Sequence, residues 1–286
     1  MNIQWFPGHM TKARRMIEED IKLVDVVVEL LDARIPYSSK NPEVRDYIRQ
    51  KPQLLVLNKA DIADPSVTQE WISYYRTKGI STVETDSVHG GGIAMVFDAV
   101  RQTLSDKLER EREKGFINKK IKMMIVGVPN VGKSSFINKI AKRASAKTGD
   151  KPGVTRGKQW IRLQDGYELL DTPGILWPRF DDQSVGMKLA YTGAVKDEII
   201  DVEELACGLL SILRSRYPQR LMERYQLDSL ACEMDYELLE RIAKRRGFLV
   251  SGGNLDTRRA AIILLDEFRG ARLGRISLER PEDCND

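Results

Sequence analysis

The sequence predicts an α/β domain with a mostly parallel sheet, followed by a small all-helical domain, on three features of the 286-residue chain. Apolar, β-branched runs at 24–32, 54–57, 80–85 and 123–126 alternate with helical periodicity, the pattern of strands covered on both faces by helices. The runs 54–57, 80–85 and 123–126 each pass directly into a loop that opens on Asn58, Asp86 or Gly127. Beyond about residue 179 strand signal ceases and only helical periodicity continues. The α/β domain is therefore assigned to 1–178 and the helical domain to 179–286.

Taken in order, residues 11–22 read as a helix with Thr11 as cap, behind the opening Trp5-Phe6-Pro7-Gly8-His9-Met10. The run 24–32 reads as a buried strand, 42–50 as a helix, and 54–57 as a second strand entering Asn58-Lys59-Ala60-Asp61. A helix over 66–78 leads to a third strand ending at Asp86-Ser87-Val88. Helical periodicity resumes at Ile93 and turns into a charged, solvated face from Asp106 to Lys114. After the strand 123–126 and a helix over 133–142, residues 143–157 carry Gly149, Pro152, Gly153 and Gly157 without any apolar period and read as a loop. The runs 159–163 and 167–170 flank Asp165-Gly166 as a hairpin. Helices follow over 184–195, 201–215, 235–246 and 256–269, with Asp201 and Asp235 as caps and Gly247 and Gly270 as stops.

Composition narrows the function. Charged residues make up 31% and hydrophobic ones 42%, the balance of a soluble globular protein, and the net charge of +4 admits a nucleic-acid partner only if positive charge is gathered locally. It is gathered between 240 and 275, where Arg241, Lys244, Arg245, Arg246, Arg258, Arg259, Arg269, Arg272 and Arg275 face four acids. These basic residues read either as a docking face for an anionic partner or as ordinary decoration of helix C-termini. The three cysteines are far apart and His9 and His89 add no ligand cluster, so free thiols in a reducing cytosol are expected. No leader and no span long and apolar enough for a bilayer is read, which predicts a cytoplasmic protein without membrane contact.

The chemistry is carried by Gly127-Val128-Pro129-Asn130-Val131-Gly132-Lys133-Ser134-Ser135, which fits G-x-x-x-x-G-K-[ST] between a strand and a helix. Phosphate demands several inward N–H donors and glycines that let the backbone approach. Lys133 can reach the outer phosphates and the Ser134 hydroxyl can ligate Mg²⁺. In Asn58-Lys59-x-Asp61 the Asp61 carboxylate matches the adjacent N1–H and 2-amino donors of guanine, the Lys59 stem can lie along the ring, and Asn58 can brace the phosphate loop. Asp86 opens a third loop, in which Ser87 and Val88 offer backbone contacts to the guanine oxygen. Asp171-x-x-Gly174 fits a Mg²⁺-directed carboxylate and a backbone N–H near the γ-phosphate, with Thr155 as a further Mg²⁺ ligand when that phosphate is present. All four loops leave carboxyl ends of strands, so they gather on one edge around GTP or GDP.

These elements resemble the motifs of the translation-factor class of GTPases in a rotated order, base-reading loops first and phosphate loop after them. The chain resembles a circularly permuted P-loop GTPase, and Phe6-Pro7-Gly8-His9-Met10, Asp32-Ala33-Arg34-x-Pro36 and the helical tail make it resemble more closely the ribosome biogenesis GTPase A (YlqF) family over nearly its whole length. That resemblance implies a GTP-dependent, GTP-hydrolysing factor acting late in assembly of the large ribosomal subunit, with the helical domain on ribosomal RNA; a monomer is expected, with no sequence feature that fixes the oligomeric state. Where many relatives place glutamine after Asp-x-x-Gly this chain has Ile175, which cannot orient water. The resemblance points instead to His9, which reads equally as packing of the terminus; catalysis is assigned to His9, Lys133 and Thr155. Asn130 resembles the asparagine that helps hold K⁺ in several such GTPases, or is a structural residue of the loop. Slow intrinsic turnover, stimulated by the particle, follows from Ile175 and the unanchored 143–157 loop. A nucleotide-gated RNA-binding module with incidental turnover, and a GTPase acting on the small subunit or tRNA, are the competing functions.

Overall fold

The computed structural model describes residues 17–42, 48, 51–116, 119–145, 160–163, 166–170, 182–195, 201–231 and 234–284. They form two compact units, one of residues up to 170 together with 279–284, the other of residues 182–278.

The first unit holds the strands β1 (Val26–Asp32), β2 (Gln53–Asn58), β3 (Ser81–Thr85), β4 (Ile121–Gly127), β5 (Trp160–Arg162) and β6 (Tyr167–Leu170). They lie in the order β3-β2-β1-β4-β6-β5, all parallel except β5, which pairs antiparallel with β6. Every residue of β1 is buried, as expected of a central parallel strand whose two faces are both covered. From β1 the chain steps outward through β2 to β3 and then returns to the other flank of β1 with β4. Strand order reverses between β1 and β4, so the crevice beyond their carboxyl ends is where an open parallel sheet holds its ligand. The register supplies that edge: Asp32 pairs with Asn58, Asn58 with Thr85, and Leu30 with Gly127.

The connecting helices are α1 (Pro65–Thr77), α2 (Ile93–Thr103), α3 (Ser105–Glu113) and α4 (Lys133–Ser145). α1 starts where Asp64 accepts a hydrogen bond from the Ser66 amide at 3.0 Å, with Pro65 at the first helical position. Its spacing of Val67, Trp71 and Tyr75 aims one stripe into the sheet, where Trp71 is fully buried and stacks on Tyr75 at 5.5 Å. Truncating a buried aromatic of this kind costs about 3–5 kcal/mol. The helical signal beginning at Ile93 is not one helix. It breaks at the buried Leu104, because α2 has an apolar stripe to pack while α3 buries no residue.

The second unit is helical: α5 (Gln183–Tyr191), α6 (Val202–Arg216), α7 (Pro218–Tyr225), α8 (Asp235–Arg245) and α9 (Thr257–Arg269). α6 is its axis, burying Leu205, Leu209, Leu210 and Leu213 and touching each of the other four. Asp201 caps it by accepting from the amides of Glu203 and Glu204 at 2.9 and 3.1 Å. Asp235, expected as a cap, is instead the first helical residue, and Met234 holds the cap position without a side-chain bond. The helix α7 escapes the sequence reading because Leu221 and Tyr225 are its only buried residues. Glu267 of α9, 3% exposed, gathers Arg224, Tyr225 and Arg246; burial pushes its carboxyl up, and the bonds from Arg224 and Tyr225 hold it below the usual range. An isolated bridge between Leu249 and Leu255 is the one β pairing of this unit among the described residues. No helix among the described residues is long and apolar enough to cross a membrane.

The last residues return to the first unit. Glu279, wholly buried, accepts hydrogen bonds from the Ser38 amide at 2.9 Å, the Ser38 hydroxyl at 2.8 Å and the Tyr37 amide, while its own carbonyl accepts from the Trp71 indole at 3.1 Å. Replacing Glu279 with Ala leaves the buried Ser38 amide and hydroxyl and the half-buried Tyr37 amide without this acceptor and is expected to cost about 2–4 kcal/mol. Denaturant unfolding followed by tryptophan fluorescence should show a lowered midpoint for the first unit, with helicity of the second lost at its original midpoint.

Candidate functional site

Three strand ends build the site. Asn58, at the end of β2, is 1% exposed and uses both ends of its amide. Its Nδ2 donates to the Val131 carbonyl at 2.8 Å, and its Oδ1 accepts from Thr85 Oγ1 at 3.1 Å and Ser87 Oγ at 2.6 Å. One side chain thus ties the loop after β2 to those after β4 and β3. A buried amide with every group paired is worth keeping, since an unsatisfied one costs about 1–3 kcal/mol.

Lys59 has φ of 63°, and its ammonium donates to the Asn130 carbonyl at 2.6 Å and to Asp32 Oδ2 at 3.0 Å. Asp32, at the end of β1, also accepts a two-pronged bond from Arg34, Nε to Oδ1 at 2.9 Å and a terminal nitrogen to Oδ2 at 2.7 Å. Burial works to raise the Asp32 carboxyl, but the Arg34 and Lys59 charges outweigh it and hold the group well below the usual carboxylate range.

The phosphate loop curves over this layer. Gly127 and Gly132 are required by space: a Cβ would stand 2.8 Å from the Leu30 carbonyl at the first, and 2.4 Å from Asn58 Nδ2 at the second, where φ is also +97°. Asn130 adopts φ of 57°, the left-handed region that asparagine tolerates. Val131 turns its side chain into the core, so its part in the site is the carbonyl held by Asn58. A cavity of about 600 Å³ opens at this point, lined by Lys59, Val128, Pro129, Asn130, Gly132, Lys133, Ser134 and Ser135. Because α4 begins at Lys133, its first amides and the positive end of its dipole face this cavity. Ser134, exposed at the rim, is the described hydroxyl that fits a Mg²⁺ ligand there.

The third loop is organised by Asp86, whose Oδ1 accepts from the amides of Val88 and His89 at 2.8 and 2.9 Å and whose Oδ2 meets His89 Nδ1 at 2.6 Å. Burial pushes Asp86 up, and the His89 and Val88 bonds bring it below its ordinary value. The Val88 amide is thus engaged within the loop, its carbonyl accepts from Lys139 of α4 at 2.8 Å, and the Ser87 hydroxyl is spent on Asn58. Lys139 escapes the sequence reading because nothing but the fold brings its helix beside this loop. Sequence spacing also assigns His89 to no cluster, yet the fold sets it with Asp61 and Asp86, their ligand atoms within 4.8 Å of one another. Asp61 comes from a different strand end, which is why spacing misses the group. His9, Thr155, Asp171 and Gly174 lie outside the described residues.

A phosphate loop and an Asn-Lys-x-Asp loop joined through one buried amide at the carboxyl edge of a parallel sheet define a phosphate-loop GTPase, here with its motifs in circularly permuted order. A family model described as "50S ribosome-binding GTPase" matches residues 122–232. The chain is 47% identical over 283 residues to the Bacillus cereus protein "Ribosome biogenesis GTPase A", covering 99% of this chain and 95% of that one. It is 35% identical to the mouse "Mitochondrial ribosome-associated GTPase 1" over 298 residues, covering 97% and 90%. The solved structure "Crystal structure of GNP-bound YlqF from T. maritima" superposes with a TM-score of 0.66 at 30% identity, covering 96% of this chain and all of that one. The chain belongs to the ribosome biogenesis GTPase A (YlqF) family, and it is an enzyme that binds and hydrolyses GTP.

Two outcomes follow from this geometry. Gly132→Ala drives a methyl into Asn58 and is expected to weaken GDP binding at least tenfold by calorimetry while the sheet stays folded. Because the Asp32 carboxylate is held below its usual range, the stability gained by keeping it ionised rather than protonated is complete above the unfolded-chain value of about 3.9 and is lost as pH falls from there toward the folded-state value. Urea midpoints measured from pH 6 to pH 3 should therefore fall steeply only below about pH 4, and less steeply in Asp32→Asn.

Proposed function

We propose that this GTPase serves assembly of the large ribosomal subunit, docking on it through the helical unit, with slow turnover that the particle accelerates. The observation that carries the docking half is the surface of that unit. Lys244, Arg245, Arg246, Arg258 and Arg259 are exposed around the 247–256 connection between α8 and α9. At the same connection the apolar Leu249 and Val250 are 56% and 46% exposed. Positive charge interleaved with apolar side chains suits RNA, whose phosphates and unstacked bases ask for both. Part of the basic run serves the fold instead: Arg269 donates to the carbonyls of Ala190 and Tyr191 at the end of α5.

Within the GTPase unit, Asp61 reads the guanine N1–H and amino group, the Lys59 stem lies along the base, and Lys133 meets the outer phosphates. Ser134, with Thr155 and Asp171, would hold Mg²⁺, which when bound neutralises charge on the β,γ oxygens. Gly174 offers an amide to the γ-phosphate, His9 handles the attacking water, and Asn130 would help hold K⁺, which when bound would add positive charge beside the phosphates. The relatives' names, "Ribosome biogenesis GTPase A" and "Mitochondrial ribosome-associated GTPase 1", support a ribosomal partner.

Co-sedimentation with separated subunits in GDP or a non-hydrolysable GTP analogue tests this. Retention on large subunits in the analogue alone is expected, and retention on small subunits, or equally in both nucleotides, would overturn it. Arg258→Glu with Arg259→Glu should reduce retention tenfold or more and flatten its salt dependence by about two charges, with GDP affinity unchanged.

A further inference from the structure

Asp32 and Arg34 are 2% and 1% exposed, yet neither lines the nucleotide cavity. A buried ion pair is close to neutral for stability, and apolar residues of the same volume would fill the space as well or better. What the pair does that apolar residues cannot is visible in its geometry. Arg34 grips both oxygens of Asp32 with its planar fork, and its own amide adds a third bond to Oδ1 at 3.1 Å. The Asp32 amide is itself fixed by donating to Ser39 Oγ at 3.0 Å. The carboxylate plane is fully determined, and Oδ2 still reaches the Lys59 ammonium at 3.0 Å. Lys59 carries on to the Asn130 carbonyl at 2.6 Å, so a rigid chain of charge runs Arg34, Asp32, Lys59, phosphate loop.

We propose that Asp32 and Arg34 are a positioning pair for nucleotide: they hold the Lys59 ammonium against the Asn130 carbonyl before nucleotide arrives, presetting the Lys59 stem as a wall of the base site and the phosphate loop in its open curve. The proposal rests on the reading of Lys59 as a base-site residue. A lysine left loose would have to be immobilised during binding, and the lost rotamer freedom weakens affinity about tenfold. Arg34 acts on Asp32, and Asp32 acts on nucleotide only through Lys59.

The test is a double-mutant cycle on GDP affinity, measured by calorimetry with the full chain as wild type, Asp32→Asn, Lys59→Met and both together. Asp32→Asn should weaken binding about tenfold and Lys59→Met at least as much. In the double variant the Asp32 change should add less than a factor of two, because its route to the nucleotide is gone. Losses that multiply in full would overturn the proposal, since a merely structural Asp32 acts whether or not Lys59 is present. Lys59→Met binding like wild type would overturn both the base-site reading and the proposal, an outcome distinct from multiplying losses. Should Asp32→Asn fail to fold, competitive acylation of the unaltered, nucleotide-free protein decides: Lys59 should label at least tenfold more slowly than the exposed Lys114. Equal rates would overturn the preset arrangement.

Discussion

One amide side chain holds the site in shape. Asn58 donates to the phosphate loop and accepts from the β3 side, and it does so from a place where water cannot compete. No other residue type of that size has a donor and a two-lone-pair acceptor back to back. An aspartate would lose the bond to Val131 and bury a charge; a leucine would leave a carbonyl and two hydroxyls without partners. Gly132 follows from this, because only a residue without Cβ leaves room for the Asn58 nitrogen. Lys59 follows too, since its unusual φ comes directly after a residue that cannot move.

The sheet explains why the order of motifs along the chain can be rotated without harm to the site. What the nucleotide meets is the carboxyl edge of parallel strands, and a strand's place in that edge depends on its lateral neighbours rather than on when it is synthesised. β1, β2, β3 and β4 each pair with their lateral neighbours in parallel, and the register Asp32, Asn58, Thr85 delivers polar groups to one row. Strand-to-strand pairing of this kind preserves the site when the connection between first and last strand is cut and remade elsewhere.

Much of this was legible in the sequence, for a physical reason. Strands that must be buried on both faces leave little freedom of composition, so 24–32, 54–57 and 123–126 announce themselves. Phosphate binding is equally restrictive, which makes Gly127, Gly132 and Lys133 readable from spacing alone. The parts that were not legible are those in which a residue acts across the fold. Lys139 and Glu279 have no local pattern, since their partners lie 51 and 241 positions away, and His89 joins a group completed by Asp61 from another strand end, so only the fold selects them. Helix α7, with two buried residues in eight, makes too faint a stripe to read, and a cap and a first-turn acid such as Asp235 look alike until the backbone is seen.

The return of the chain at Glu279 changes what the helical unit is. It is a loop let out from the GTPase body and drawn back in, closed by a carboxylate pinned on Tyr37 and Ser38, with Cys284 packed beside Trp71 and its neighbours. A protease nick between β6 and α5 would therefore not free the downstream fragment. Its final residues would still be clasped by the upstream one, and the two pieces would travel together as a complementing pair until denatured.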